Sequence, residues 1–568
     1  MKTIRILIIL FLLITVACAH LPGESGQTTA TAPIKKAIGS SGGYYHYSLG
    51  VRSYLEGNLD GAIEEYEKAI SLDPESPYLK TEISTLYLRK EKTEEALSLL
   101  KSSLVHNPDY VDTHLLLGGI YTKLKEYDKS IKEYKRVIQL DPKNLESYLF
   151  LGLLYREKEE YREAIDILSN LLKIESNNLM GNYYLAKIYI QTKSYDEAEE
   201  LLKKVLNIKP SFDPALTDLA LLYEIQKDDK KSVEFFSDFI ESNPSDTTAR
   251  LHFGKILFRQ DKYKEAAEEF RIILKEDRSH IEARYSLGLA YYFDGKDYKK
   301  AIDEFLTILK KYPGDNRTRY FLASSYDKNR QHRNAFEEFK AIPADSDLYA
   351  SARTHMGLIL KGDGRILEAI DLIKEAIVNK NEEADLYGFL ASLYEANNQL
   401  EVAEKTLKDG IKLSPDDIDL HYKLGVIYEK TNRFRESVDE MTKILKIDKD
   451  NAEALNFIGY GYADREINLA EAERLIKKAL KLKPGNGFIT DSLGWLYFKK
   501  NRLDLAIKYL KEAAKILPED PTIAEHLGDA YKKSGMVKEA RRMYIRALNL
   551  GPLKKEILEK KINRLNSN

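Results

Sequence analysis

The residue types that most often catalyse reactions or bind metal ions are present in this chain, but they are not spaced for either task. Ten histidines are scattered over 568 residues, and none forms the H-E-x-x-H pair that offers two imidazoles to one zinc ion. The sequence also lacks a G-x-x-x-x-G-K-S/T loop for phosphate groups. Carboxylates lie three or four residues from lysines, as Glu64 and Glu65 do from Lys68, which is typical of solvated ion pairs on a helix. The sequence therefore favours a protein that is not an enzyme and has no cofactor or metal site.

The one cysteine, Cys18, stands at the end of an apolar leader. Lys2 and Arg5 flank the start of this leader, and an apolar run from residue 6 to residue 14 follows. This order is typical of a secretory signal. The run is shorter than the roughly 20 apolar residues that cross a bilayer. A single thiol also excludes an internal disulfide and a metal site built from several cysteines.

The end of the leader resembles the signal of bacterial lipoproteins, in which cleavage precedes a cysteine that then receives lipid. The resemblance implies a signal peptide over residues 1–17, lipidation of Cys18 and, with Ala19 next, an outer-membrane lipoprotein facing the periplasm. The alternative is ordinary cleavage at the A-x-A-like site Ala17-Cys18-Ala19, followed by plain secretion. Residues 18–42 are rich in Ala, Gly, Ser, Thr and Pro and predict a flexible tether.

The charges of the chain are many and nearly balanced. Asp, Glu, Lys and Arg make up 31% of the residues, yet the formal net charge is only −2. Interspersed opposite charges indicate solvated helix faces, whereas a polyanion partner requires a basic block. Nucleic acid is therefore excluded as a partner.

A small residue recurs along most of the chain at a step of 34 residues, with two steps of 35. A second small residue, always Ala or Ser, follows about twelve residues later, and Tyr stands three residues after the first small residue in twelve of fifteen units. Each unit holds two amphipathic stretches with helical spacing, separated by a short turn. Only a small side chain leaves room where two helices cross closely. We predict that these positions are structural, with Gly50, Ala62, Gly118, Gly152, Ala164, Gly288, Gly494, Ala506 and Gly528 among them.

This spacing and residue set resembles the tetratricopeptide repeat, which implies an all-α, right-handed superhelical solenoid of about fifteen antiparallel helix-turn-helix hairpins. The C-terminal residues 555–568 carry apolar residues at helical spacing and predict a capping helix. Pro343 falls inside the second helix of repeat nine and should end that helix early. We therefore predict a joint near residues 341–350, between repeats one to nine (43–345) and repeats ten to fifteen (346–554). His46 and His421 stand where the family usually has an aromatic residue, and we interpret both as packing or surface residues.

The resemblance further implies that the first helix of each unit lines a concave groove, with groove positions near its second, fifth, ninth and twelfth residues. In the early repeats these positions are apolar and aromatic, which is common at interaction sites. The alternative is that the same side chains pack between adjacent repeats. Later repeats place charges there and would favour basic or polar segments. The candidate groove residues are Tyr44, Tyr47, Tyr54, Leu115, Leu149, Leu153, Tyr183, Lys187 and Ile190.

These patterns predict a non-catalytic scaffold that binds other proteins or extended peptide segments in the bacterial cell envelope, and that meets the membrane only through a lipid anchor. The runs Leu455 to Tyr460 and Asp491 to Trp495 are similar to segments of tetratricopeptide outer-membrane lipoproteins of proteobacteria. Some of those relatives deliver substrates to a periplasmic protease, and others serve the assembly of exported polysaccharide. The alternative function is a structural component of the envelope that self-associates through its groove.

Overall fold

The computed structural model describes residues 38–551 and 555–566, and within this part of the chain the only regular secondary structure is α-helical. The prediction of an all-α fold is confirmed. The predicted signal peptide, Cys18 and the first part of the tether lie outside the described residues.

Thirty of the helices form fifteen consecutive hairpins, and one further helix follows them. Each hairpin consists of an odd-numbered first helix and an even-numbered second helix. Their bounds are α1 Ser41–Leu55, α2 Leu59–Leu72, α3 Pro77–Arg89, α4 Thr93–His106, α5 Val111–Lys123, α6 Tyr127–Leu140, α7 Leu145–Glu157, α8 Tyr161–Ile174, α9 Leu179–Gln191, α10 Tyr195–Ile208, α11 Asp213–Gln226, α12 Asp229–Ser242, α13 Thr247–Arg259, α14 Tyr263–Glu276, α15 Ile281–Asp294, α16 Tyr298–Lys311, α17 Asn316–Lys328, α18 His332–Lys340, α19 Tyr349–Gly362, α20 Ile366–Asn379, α21 Ala384–Ala396, α22 Leu400–Leu413, α23 Ile418–Lys430, α24 Phe434–Ile447, α25 Ala452–Asp464, α26 Leu469–Leu482, α27 Gly487–Lys499, α28 Leu503–Ile516, α29 Pro521–Lys533, α30 Val537–Asn549 and α31 Lys555–Asn566.

The recurring small residues lie where the two helices of a hairpin cross. A methyl group added at Gly118 would come within 2.8 Å of the Tyr134 ring, and one added at Gly254 within 2.5 Å of the Phe270 ring. Real side chains do not approach this closely, so glycine is required for the observed crossing. All nine positions predicted to be structural are buried.

The hairpins are closed by short turns and by caps that satisfy the free ends of the helices. The turn contains a residue with left-handed backbone, for example Gly57 with a φ of 78° and Glu91 with a φ of 60°. Many helices begin at a side chain that accepts a hydrogen bond from the first turn, as Asn144 accepts one from the Ser147 amide at 2.9 Å.

Residues 38–42, which the sequence assigns to the tether, belong to the first hairpin. Ile38 is buried in the apolar core of that hairpin. The amide of Gly39 donates a hydrogen bond to the Asp73 carboxylate at 2.7 Å, and Ser40 caps α1 by accepting one from the Gly43 amide at 2.9 Å. These three contacts hold a segment whose composition alone indicates disorder.

The last described helix, α31, covers the apolar face of hairpin fifteen, as predicted. Leu558 is fully buried against this hairpin, with Ile562 and Leu565 packed beside it. Lys561 donates hydrogen bonds to Glu525 at 2.7 Å and to Asp529 at 2.7 Å and 2.8 Å, which fixes α31 on α29. Ile557 remains exposed.

Repeat nine departs from the other hairpins as the proline predicts. Its second helix, α18, has nine residues and ends at Lys340, three residues before Pro343. A turn segment from 341 to 348 then leads into α19. The predicted joint itself stays a prediction.

The described residues form two compact units, one ending at Ala283 and one beginning at Arg284. In the part of the chain that the structure describes, no helix is both long enough and apolar enough to cross a membrane.

Candidate interaction surfaces

Within each unit, the first helices of neighbouring hairpins lie closer together than the second helices do. In the first unit α3 packs against α5, α7 against α9, and α11 against α13, and in the second unit α19, α21 and α23 contact one another in order, as do α25, α27 and α29. We call the resulting surfaces the first-helix face of the first unit (α1 to α13) and the first-helix face of the second unit (α17 to α29). Side chains on each face can reach those of the next hairpin.

Near the start of several first helices, a polar side chain contacts the second helix of its own hairpin and not the next hairpin. His114 donates from Nδ1 to Glu133 at 2.5 Å and from Nε2 to the Pro108 carbonyl at 2.8 Å. The same side-chain contact joins His46 to Glu65 at 2.7 Å and His421 to Glu440 at 2.6 Å. Both histidines singled out in the sequence therefore tie the two helices of one hairpin together.

The predicted groove residues of repeat one have different surroundings. Tyr47 is buried, with its ring stacked on Tyr66 at 5.4 Å and edge-on to Tyr78 at 5.6 Å. Tyr44 and Tyr54 are half-buried, and the Arg89 guanidinium lies 5.1 Å from the centre of the Tyr54 ring. Tyr47 is thus mainly a packing residue, because hairpin two covers it.

The three leucines that the sequence predicts for the groove in repeats three and four differ in burial. Leu153 is buried in the core between hairpins, so it packs between adjacent repeats and does not line a groove. Leu115 and Leu149 are half-buried and pack against the edge of the same core. These two remain candidates for contact with a partner.

The predicted residues of repeat five meet a carboxylate of repeat six. The Tyr183 hydroxyl donates to Asp218 at 2.9 Å, and the Lys187 ammonium donates to the same carboxylate at 2.8 Å. Burial, followed by the Asp218 charge, raises the pKa of Tyr183. Ile190 is half-buried on the same face. Tyr183 and Lys187 therefore bridge two hairpins, whereas Ile190 remains a candidate for contact with a partner.

The structure also shows a group of residues that we call the tyrosine niche: Tyr44, Tyr47, Tyr78, Tyr110 and Glu82. The sequence patterns single out Tyr44 and Tyr47 and miss the other three. The hydroxyls of Tyr47 and Tyr78 are 2.7 Å apart and share a hydrogen bond. Burial and the Glu82 carboxylate raise the pKa of Tyr78, and burial with Asp112 and Glu82 raises that of Tyr110. Tyr78 occupies the second position of repeat two, so the groove rule applied to that repeat would have found it. Tyr110 precedes repeat three and gives no such signal.

The first-helix face of the second unit carries charges that mostly neutralise one another. Glu395 pairs with Lys430 at 2.6 Å, and Glu429 pairs with Arg465 at 2.6 Å. Asp419 pairs with Lys423 on its own helix. The negative charge that the sequence indicates for this half is therefore largely matched within the chain.

The segment around Asp491 and Trp495 is a packed polar core. The Trp495 indole stacks on His526 at 4.0 Å and on Phe498 at 4.8 Å, and its Nε1 donates to Asp464 at 3.0 Å. His526 donates from Nδ1 to Asp491 at 3.0 Å. Burial opposes protonation of His526, but the Asp491 charge, the hydrogen bond to Asp491 and the charges of Asp529 and Glu525 together outweigh burial and raise the pKa of His526. These residues join hairpins thirteen, fourteen and fifteen.

Among residues 38–551 and 555–566, no group of three or more His, Cys, Asp or Glu side chains is placed to hold a metal ion.

Comparison with known families finds repeat models over much of the chain. Models described as tetratricopeptide repeat match residues 43–76, 87–154, 251–316, 384–417, 418–451 and 492–520. A model described as anaphase-promoting complex, cyclosome, subunit 3, matches residues 131–205.

Curated relatives are similar over part of their length. A TPR repeat-containing protein of Pseudomonas aeruginosa is 28% identical over 207 residues, which are 36% of this chain and 34% of that protein. A TPR repeat-containing protein of Methanocaldococcus jannaschii is 28% identical over 105 residues, 18% of each chain. The chain thus spans about a third of the first relative and less than a fifth of the second. Among solved structures, yeast Tom70 aligns over 80% of this chain and 96% of its own, with 15% identity and a TM-score of 0.38.

Proposed function

The chain is a tetratricopeptide-repeat protein, and from this premise we propose that it is a non-catalytic adaptor of the bacterial cell envelope that binds partner proteins along its first-helix faces. The observation that carries the proposal is the close approach of successive first helices within each unit. An extended segment lying across such a face can contact several hairpins at once, which suits a repeat scaffold.

The first unit offers the more favourable face for a protein partner. Its half-buried residues Tyr44, Leu115, Leu149 and Ile190 present apolar and aromatic surface. Leu221 adds an apolar side chain on α11 that is 47% exposed. Partly exposed aromatic and aliphatic side chains anchor partner proteins, because their apolar surface is removed from water on contact while little side-chain entropy is lost.

The envelope location rests on the leader sequence and is part of the proposal. Cleavage before Cys18 and lipidation of its thiol would hold the adaptor at the periplasmic side of the outer membrane. Metabolic labelling with palmitate tests this directly. The wild-type chain should incorporate label, and the Cys18→Ser variant should not. An unlabelled wild-type chain would mean plain secretion.

The partner is proposed to be either a periplasmic processing protease with its substrates or the machinery that exports polysaccharide. A pull-down of the full chain from detergent-solubilised envelope membranes distinguishes the two. Recovery of a protease together with its substrates supports the first, and recovery of polysaccharide export components supports the second. If neither class is enriched over a control with an unrelated lipoprotein, the adaptor proposal fails.

Self-association is the alternative, and one feature favours it. Tyr45 and Leu55 on α1 are 61% and 73% exposed, on a hairpin that has no described hairpin before it. Two such ends could pack together. Light scattering at micromolar concentration tests this: a dimer supports self-association, and a sharp monomer removes it.

A further inference from the structure

Hairpin six departs from the other hairpins of the first unit at the crossing of its two helices. In hairpins three and twelve, a serine of the second helix donates a hydrogen bond to the carbonyl of the facing glycine, Ser130 to Gly118 and Ser437 to Gly425, both at 2.8 Å. Ser232 holds the same place in hairpin six and is buried, but its hydroxyl has no hydrogen-bond partner among the described residues. In agreement, α11 and α12 lie further apart than the two helices of any other hairpin in the first unit.

Large side chains explain this wider crossing. In hairpin seven, a methyl group added at Gly254 would come within 2.5 Å of the Phe270 ring. Hairpin six carries that methyl group as Ala220, together with the equivalent aromatic ring, Phe236. It also has Phe239 at a position where the other fourteen repeats have Gly, Ala, Ser, Val, Leu or Ile. Helices that carry this extra volume have to move apart.

A cleft of about 490 Å³ opens between α10 and α12, the second helices of hairpins five and six, and we call it the α10–α12 cleft. Its size is that of a site for a large side chain or a small ligand. The apolar lining consists of Leu206 and Pro210 from the side of α10 and of Phe235 and Phe239, both half-buried, on α12. The Lys203 ammonium already lies 5.4 Å from the centre of the Phe235 ring, so Phe239 is the main aromatic contact that the cleft offers.

The charges around the cleft are not matched within the chain. Lys203 and Lys231 both pair with the one Glu199 carboxylate, at 2.7 Å and 3.5 Å. Glu234 and Asp238 line the cleft from α12 and are exposed. Among residues 38–551 and 555–566, neither of these two carboxylates has a hydrogen bond or an ion pair. A basic side chain next to an apolar one therefore complements both the charge and the apolar lining of the cleft.

We propose that the α10–α12 cleft binds a large apolar side chain of a partner protein in which the neighbouring residue is lysine or arginine. The apolar side chain enters between Phe239 and Leu206, and the neighbouring cation pairs with Glu234 or Asp238. The inference goes beyond the proposed adaptor function, because the cleft lies on second helices and is separate from the first-helix faces. A chain with both surfaces can hold two partners at once.

A peptide-binding measurement on the full chain tests the proposal. The probe is a fluorescein-labelled Gly-Ser peptide that carries two Phe-Arg pairs. One control peptide has alanine in place of both phenylalanines, and the other has citrulline in place of both arginines. Anisotropy at about 0.15 M salt should show binding weakened about tenfold or more by alanine, because apolar burial is lost. Citrulline should weaken binding about threefold, because an exposed ion pair contributes less. Equal binding of all three peptides would overturn the proposal.

A variant that fills the cleft locates the binding. Asn207 is exposed on α10 and lines the cleft, so Asn207→Trp should weaken the Phe-Arg peptide about tenfold or more. Gln139→Trp is the matched control, since Gln139 is exposed at the same place in hairpin three, outside the cleft, and should leave binding unchanged. Equal effects of the two variants would refute the site. Circular dichroism checks that both remain folded.

A charge variant tests the pairing with the two free carboxylates. Glu234→Gln with Asp238→Asn should weaken the Phe-Arg peptide about threefold and leave the citrulline peptide unchanged. Asp229→Asn with Glu241→Gln removes the same two charges from exposed positions of α12 outside the cleft and should change neither. Equal weakening by the two double variants would contradict pairing at the cleft.

A second copy of the chain is the competing occupant. If light scattering at micromolar concentration shows a dimer for the wild type and a monomer for Asn207→Trp, the cleft joins two copies and the partner proposal is wrong. The same oligomeric state in both supports a separate partner. The cleft and the adaptor function also fail separately: peptides that do not bind refute the cleft alone, whereas a pull-down that recovers no partner refutes the adaptor function while peptide binding still supports the cleft.

Discussion

At the scale of single residues, the hairpins differ in the fourth residue of the first helix, which in several hairpins bonds to the second helix. His114 contacts Glu133, Arg250 contacts Glu269 at 2.7 Å, and Asn182 bonds only to backbone carbonyls, including that of Ser176 at 2.9 Å. Arg250 and Asn182 keep one charge state near neutral pH, but histidine titrates there. Hairpin three therefore has a stability that depends on pH through the contact between His114 and Glu133.

We expect hairpin three to lose stability as the pH rises through the neutral range. Burial of His114 opposes its protonation, but the hydrogen bonds to Glu133 and to the Pro108 carbonyl outweigh burial, so the folded pKa lies above the ordinary value of 6.5. A raised folded pKa gives stability that is complete below about pH 6.5 and is lost as pH rises through the folded value. Hydrogen exchange of α5 and α6 amides, corrected for intrinsic rates, measures this loss.

His114→Asn provides the matched control, because asparagine fills the equivalent position in hairpin five as Asn182. The variant keeps an amide that can bond the Pro108 carbonyl and removes the titrating ring. Its α5 and α6 amides should show no pH dependence beyond that of hairpin five. The same pH dependence in the variant as in the wild type would mean that another group is responsible.

The crossing glycines give a second residue-scale prediction. Gly254→Ala places a methyl group 2.5 Å from the Phe270 ring, which is fully buried and cannot move aside. Overpacking of this kind costs about 1–3 kcal/mol, so protection of the α13 and α14 amides should fall about tenfold or more. Gly362→Ala, at a helical glycine with open space around it, should leave protection of α19 unchanged or slightly higher. Equal losses at both sites would show that the crossing is not tight.

At the scale of helices, the sequence predicts the regular hairpins well because their signals are local. The small residues mark the helix crossings, and Pro343 marks the early end of α18, without reference to the rest of the chain. The pattern fails where a contact reaches between hairpins. Ile38 lies in a segment of disordered composition but packs on hairpin one, and Tyr47 is covered by Tyr78 of hairpin two. Period and spacing describe one hairpin, whereas burial on the first-helix face depends on the side chain that the next hairpin presents.

Helix α18 is short, and one arginine of α19 donates hydrogen bonds to the backbone carbonyls at its end. Arg353 on α19 donates hydrogen bonds to the carbonyls of Phe339 at 2.9 Å, Lys340 at 3.2 Å and Ile342 at 3.3 Å. Its guanidinium also lies 4.3 Å from the centre of the Tyr349 ring. A free helix end within the stack would otherwise leave these carbonyls without a donor.

Arg353→Ala should therefore loosen α18 and the segment after it. Loss of hydrogen bonds from a charged donor costs about 1.5–3 kcal/mol, so amides of residues 332–348 should exchange at least about tenfold faster. Arg333→Ala removes an exposed arginine from α18 itself and should have little effect. If both variants exchange alike, Arg353 does not hold the turn. In the wild type, residues 341–350 should already exchange faster than both neighbours, and uniform protection would refute the predicted joint.

At the scale of the whole molecule, the described residues form two stacks of near-identical hairpins, each with a face made of first helices. The tetratricopeptide repeat supports a role in binding other proteins. It does not determine the partner, because identical packing residues occur in proteins with unrelated tasks.

The most direct test of the central claim, that partners bind along the first helices, is photo-crosslinking in intact cells that express the protein. A photoreactive phenylalanine analogue replaces Leu115 on α5 or Ile190 on α9, and the control replaces Val105, which is 77% exposed on the second helix α4. We predict that both first-helix positions trap one defined set of proteins and that Val105 does not. Equal trapping at Val105, or no trapping at the first-helix positions while the chain still retains partners, would contradict the account.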